Sequence, residues 1–159
     1  LPSIKLSTTN DSLVDSASIS GRVVIYLYPV TGRPDTALPD GWDEIPGARC
    51  CTPQSCSFRD HYSELRALNT SVYGLSTQST EYQKEAATRL QLPFLSVSDN
   101  NLEFMKSLNI PVINVEGMLL SKRVTLIANS GIIEKVFYPV FPPNENVNGV
   151  MAYLNANTA

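Results

Sequence analysis

The longest apolar run in the chain is Val23-Val24-Ile25-Tyr26-Leu27-Tyr28, β-branched and aromatic throughout and stopped by Pro29. A short apolar run without alternation predicts a strand buried on both faces. The stretch before it, from Ser7 to Ser20, is polar and predicts no element. After it comes a Pro-, Gly- and Asp-rich loop over 31–47, which carries the only tryptophan, Trp42. A loop of that length without its own structure is usually functional or disordered, and Trp42 favours one that packs down. Thr52 can cap a helix and Pro53 suits its first turn. Phe58, Tyr62, Leu65 and Leu68 then recur at helical spacing, so one helix is expected from Thr52 to Asn69, with these four as core residues. A second strand is expected over 71–76, a polar helix over 80–90, a third strand over 93–98 and a short helix over 102–108. Two further strands, 123–128 and 132–137, flank Asn129-Ser130-Gly131, a hairpin signal. Val147, Val150, Met151 and Leu154 mark a final helix over 144–156.

The order is strand, helix, strand, helix, strand, helix, hairpin, helix. Alternating β and α with a terminal antiparallel pair predicts a three-layer α/β fold with a mixed central sheet flanked by helices, in a single domain over 1–159. Right-handed crossovers feed the strand at 23–28 into the helix that starts at Thr52. That junction lies at the carboxyl edge of a central strand, where open α/β sheets place their sites. All three cysteines of the chain, Cys50, Cys51 and Cys56, fall there.

Composition narrows the chemistry. A net charge of −3 without a Lys/Arg block gives no electrostatic argument for nucleic acid or an anionic membrane. No apolar segment is long enough to span a bilayer, and no secretory signal peptide is visible. A cytoplasmic protein is expected, although a start at Leu1 rather than Met is compatible with a removed leader. Three cysteines are too few for a disulfide scaffold, and a chain of this length folds without one.

The cysteines are not equivalent. Cys51 precedes the helix start, where the helix dipole and free N–H groups favour a thiolate. Cys56 lies further inside the helix and makes a better partner than attacker. Five residues along an intact helix leave the two Cα atoms roughly 8–9 Å apart, whereas a disulfide wants less than about 7 Å. A Cys51–Cys56 bond therefore requires the first turn to unwind. That suits a catalytic intermediate, in which a sulfenic acid on Cys51 condenses with Cys56, better than a structural staple. Buried structural thiols remain an alternative. A zinc site from Cys50, Cys51, Cys56 and His61 lacks the usual paired spacing. A C-x-x-C oxidoreductase motif is absent. His61 lies too far along the helix to serve as a base and reads as a surface or packing residue.

The chain resembles the peroxiredoxins, and among them the Q-type, bacterioferritin comigratory protein-like group. The resemblance rests on Tyr28-Pro29, on Cys51-Thr52-Pro53-Gln54-Ser55-Cys56 followed by Arg59-Asp60, on Val72-Tyr73-Gly74-Leu75-Ser76, on Leu95-Ser96-Val97-Ser98-Asp99, and on Arg123-Val124-Thr125-Leu126-Ile127 before Gly131. It covers residues 20–155 and implies a thioredoxin-like fold. It also implies a peroxidatic Cys51 and a resolving Cys56. Arg123 would hold thiolate and peroxide together, and Gln54 would orient Arg123. Arg59 is left between pairing with Asp60 and reaching the active site. Two departures stand out. The family carries a hydroxyl three residues before its cysteine, where this chain has Ala48. An insertion over 31–47, after Pro29, accounts for the difference and makes Thr31 the candidate hydroxyl. Cys50 replaces the usual glycine and reads as an incidental small residue.

The resemblance implies a thiol-dependent peroxidase that reduces hydrogen peroxide and organic hydroperoxides through a Cys51–Cys56 disulfide. Thioredoxin or a similar dithiol would recycle it. No metal, haem, flavin or nicotinamide cofactor is implied, nor a nucleic-acid or membrane partner. A resolver in the same chain makes a monomer the expectation, with a dimer compatible. A thiol–disulfide exchange protein and a redox-sensing module of the same fold are the rival readings, and neither needs Arg123 or Gln54.

Overall fold

The computed structural model describes residues 1–30 and 51–157. The 31–47 loop with Thr31 and Trp42, and Ala48, Arg49 and Cys50 after it, lie outside the described residues. Along the chain come β1 (Lys5–Thr8), β2 (Leu13–Asp15), β3 (Arg22–Leu27), α1 (Cys51–Asp60), α2 (Tyr62–Ala67), β4 (Thr70–Ser76) and α3 (Thr80–Arg89). They are followed by β5 (Leu95–Ser98), α4 (Glu103–Ser107), β6 (Val112–Val115), β7 (Met118–Ser121), β8 (Val124–Asn129), β9 (Ile132–Phe137) and α5 (Asn146–Ala156). Seven strands form a mixed sheet in the order β2-β1-β5-β4-β3-β8-β9. β3, β4 and β5 run parallel; β8 joins β3 antiparallel and β9 joins β8. No helix among the described residues is long and apolar enough to cross a membrane.

The predicted strand at 23–28 is the middle of this sheet, and its lack of alternation has the expected cause. Val23, Ile25 and Leu27 face a core layer with Phe104, Met105, Val124 and Leu126. Val24, Tyr26 and Tyr28 face the opposite layer with Phe58, Leu65, Val147, Val150 and Leu154. The second layer is aromatic at its centre: the Tyr26 and Phe58 rings stack at 4.6 Å, and Phe94 meets Tyr26 edge-on at 6.0 Å. Register places Tyr26 between Gly74 of β4 and Thr125 of β8. A Cβ on Gly74 would stand 2.9 Å from the Tyr26 hydroxyl, so only glycine lets that ring lie across β4.

The expected α/β order is present, with three differences. The helix expected over 52–69 is two helices. His61 adopts φ −105°, ψ 9°, outside helical values, and its Nδ1 lies 2.9 Å from the Ser57 carbonyl. The apolar spacing survives one such residue, so the break left no trace in the pattern; Phe58 and Leu65 are buried and Tyr62 and Leu68 pack against them. The polar N-terminal stretch holds β1 and β2, missed because few of their residues are apolar and buried: Leu6 is buried, Val14 is half-buried against the same layer, and Thr8 is a hydrogen-bonded polar core residue. The β6–β7 hairpin was also missed. It turns through Glu116 (φ 51°) and Gly117 (φ 82°), with Asn114 Oδ1 accepting from the Gly117 N–H at 3.1 Å. Two left-handed residues make the tight turn whose twist suits a hairpin. The expected Ser130-Gly131 turn has the same form, φ 49° and 87°.

Candidate active site

Three elements meet at the carboxyl edge of β3. The chain leaves β3 through Tyr28-Pro29 and returns at Cys51, the first residue of α1. The β6–β7 hairpin sits alongside, packing Val115 and Leu120 against Val30. Its base closes where Lys122 N–H donates to the Pro111 carbonyl at 2.8 Å, and Arg123 follows immediately.

Arg123 is 3% exposed. Its Nη1 donates to Gln54 Oε1 at 2.7 Å, across 69 residues of sequence. Gln54 lies on the first turn and a half of α1 and is fully buried. The structure thus brings together the two residues singled out from separate motifs. A buried guanidinium is stable only with its donors engaged, and a neutral amide oxygen accepts one without cancelling the charge. Gln54 Nε2 donates in turn to Asn146 Oδ1 at 3.2 Å, and Thr125 Oγ1 donates to the same oxygen at 2.7 Å. Thr125 follows Arg123 by two, which in a strand puts both on one face. Sequence reasoning missed Thr125 and Asn146. A threonine in an otherwise apolar central strand was the signal for the first; Asn146, at a helix start, gave none.

Arg123 also lines a cavity of about 270 Å³ whose other walls include Pro29, Ile113, Lys122, Val140 and the aromatic residues Tyr138 and Phe141. The walls are largely apolar, with two cationic residues among them. Such a pocket suits a small neutral substrate that acquires negative charge as it reacts, with or without a hydrocarbon arm.

Cys56 is a half-buried free thiol on α1. Its helix is pinned from below by the buried hydrogen bond from Tyr26 Oη to Ser55 Oγ, 3.0 Å, and at its flank by Ser57 Oγ donating to the Asn144 carbonyl at 2.7 Å. Arg59 takes the first of its two readings, the pairing with Asp60. Its Nε donates to Asp60 Oδ1 at 3.0 Å and its Nη1 to the Leu90 carbonyl at 2.8 Å. Its pKa is raised, first by the Asp60 hydrogen bond. Thr31 and Cys50 fall outside the described residues.

Fold and site together define an α/β thiol enzyme with a cysteine-bearing helix facing a buried arginine. The Redoxin family profile matches residues 1–154. The chain belongs to the Redoxin family, with Q-type peroxiredoxins as its relatives, and is thereby a thiol-dependent peroxidase. It is 27% identical over 156 residues to the chloroplastic peroxiredoxin Q of Sedum lineare, covering 98% of this chain and 75% of that one. Identity to the chloroplastic peroxiredoxin Q of Arabidopsis thaliana is 26% over 133 residues, covering 84% of this chain and 54% of the relative. In fold, it superposes on the peroxidoxin BcpB of Mycobacterium tuberculosis with a TM-score of 0.77 at 22% identity, over 98% of this chain and 94% of that one.

Proposed function

We propose that Cys51 is the peroxidatic residue, Cys56 the resolving one, and Arg123 the group that stabilises both the thiolate and the peroxide. The Cys51 thiolate attacks the terminal oxygen of a hydroperoxide; the O–O bond breaks, the alkoxide or hydroxide leaves and takes a proton, and the sulfur is oxidised to a sulfenic acid. The Cys56 thiol then condenses with it, forming the disulfide and releasing water. A dithiol reductant, thioredoxin or a close analogue, returns both thiols. Thr31 supplies the hydroxyl that Ala48 lacks. The chain acts as one domain and as a monomer.

The observation that carries this reading is the 2.7 Å hydrogen bond between Arg123 and Gln54, which ties a buried cation to the helix that Cys51 begins. A disulfide-exchange protein has no use for that cation. The apolar cavity beside Arg123 supports organic hydroperoxides as substrates next to hydrogen peroxide. The compartment is read as cytoplasmic; imaging of a tagged full-length gene product decides between it and the plastid of the two chloroplastic relatives.

Peroxide consumption coupled to a reduced thioredoxin system tests the assignment. Cys51→Ser should abolish turnover, Cys56→Ser should permit a single oxidation without recycling, and Cys50→Ser should leave turnover intact. Thr31→Val should slow the oxidation step alone. Undiminished turnover in Cys51→Ser overturns the reading, and loss of recycling in Cys50→Ser with Cys56→Ser active moves the resolver.

A further inference from the structure

We propose that Asn146 is a positioning residue for the peroxidase reaction: it fixes the orientation of the Gln54 amide, and through it the Arg123 guanidinium. This rests on the reading that Arg123 serves Cys51.

The two ends of a glutamine amide have nearly the same shape and opposite polarity. Arg123 offers only donors, so Gln54 is useful to it with Oε1 inward and adverse with the NH₂ group inward. Both residues are buried, with no bulk water to correct a flipped amide. What holds Gln54 the right way round is the acceptor on its far side, Asn146 Oδ1, which takes the Nε2 hydrogen at 3.2 Å. Asn146 Oδ1 also receives the Thr125 hydroxyl at 2.7 Å, so two donors converge on it and hold the Asn146 amide in place in turn. The polarity is consistent along the network: Arg123 donates to Gln54, Gln54 to Asn146, and Thr125 to Asn146. Asn146 is 8% exposed and opens α5, so that helix takes part in the site through its first residue. The turn just before it is joined to α1 by the Ser57–Asn144 hydrogen bond, which keeps Asn146 in register with Gln54.

The experiment measures the second-order rate of Cys51 oxidation by hydrogen peroxide, and its pH midpoint, by stopped flow. Variants are Asn146→Ala and Asn146→Asp, each alone and with Gln54→Glu, with Arg123→Ala as a reference. Asn146→Ala removes the acceptor and should slow oxidation by about tenfold, the order of one buried hydrogen bond, and raise the pH midpoint. Asn146→Asp keeps an acceptor and should recover the rate to within about threefold. Gln54→Glu presents an oxygen to Arg123 in either orientation, so in that background Asn146→Ala should cost less than about twofold. Equal losses in the two backgrounds, or a lowered Tm with unchanged rate and pH midpoint, overturn the proposal. A rate that Arg123→Ala leaves unchanged overturns the underlying reading of Arg123 instead, so the two failures are distinguishable.

Discussion

A guanidinium carries five N–H donors in one rigid plane, and Arg123 orients that plane through Nη1 on Gln54. An ammonium at the same place would keep the charge and lose the fork. Arg123→Lys should therefore lower the rate of Cys51 oxidation by on the order of a hundredfold, the scale of losing an aligned donor to developing negative charge. The Cys51 alkylation midpoint should move less, because the charge persists. Competitive alkylation against pH and stopped-flow oxidation separate the two effects; a rate equal to wild type would mean that charge alone is used. Cys51 was singled out in the sequence by its place before a helix start, and Gln54 and Arg123 only through the motifs of the family resemblance. The contact of Gln54 with Arg123 was an expectation of that resemblance alone, because it joins α1 to the start of β8 across 69 residues. Thr125 and Asn146 escaped for a different reason: a polar side chain that serves another side chain leaves no periodicity of its own.

At the scale of the element, α1 must be stable enough to present Cys51 and weak enough to release it. A disulfide between Cys51 and Cys56 requires the first turn to unwind, and that turn is held by side-chain hydrogen bonds. Gln54 bonds Arg123 and Asn146, and at the end of that turn Ser55 takes the buried hydrogen bond from Tyr26. Each contributes about 1 kcal/mol net, so unwinding costs several. Ser55→Ala removes the Tyr26 tether without touching Arg123. It should shorten the lifetime of the Cys51 sulfenic acid severalfold, the equivalent of about 1 kcal/mol, and lower Tm by a few degrees. Trapping the sulfenic acid with a dimedone probe after a single addition of peroxide measures that lifetime; an unchanged lifetime would place the slow step elsewhere. The helix itself was readable from Thr52-Pro53 and the apolar spacing. The tethers were not, since Ser55 and Ser57 look like ordinary solvent-facing serines. The missed strands share one trait: β1, β2, β6 and β7 are three or four residues long, too short for alternation to show, and two of the turns that link them depend on backbone conformation rather than on a hydrophobic signal.

For the whole molecule, β3 was legible as a continuous apolar run, and β4 and β5 as shorter mixed segments between helical stretches. What the runs could not convey was how the sheet ends, and its edges bear on the state of assembly. β2, one edge, is three residues long. β9, the other, exposes Ile132 at 72% and Val136 at 50%, an apolar edge that invites a second strand. Two features oppose that pairing. Lys135 pairs with Ile127 and Ile133 with Ala128, so Glu134 is an extra residue that bulges the strand. Glu134 and Lys135 also place charges on the edge, Glu134 pairing with Arg22 at 3.2 Å. Bulges and edge charges are the usual means by which a sheet avoids joining another copy. With the resolver in the same chain, nothing in the proposed cycle needs a partner subunit. The chain should sediment as a monomer at micromolar concentration, reduced or oxidised. Replacing both charges, Glu134→Val with Lys135→Val, leaves Ile132 to Phe137 apolar throughout and should give concentration-dependent self-association in sedimentation velocity, with peroxide turnover per chain retained. A wild-type dimer that survives dilution would show that β9 or another face already serves as an interface, and a monomeric double variant would show that the bulge alone closes this edge.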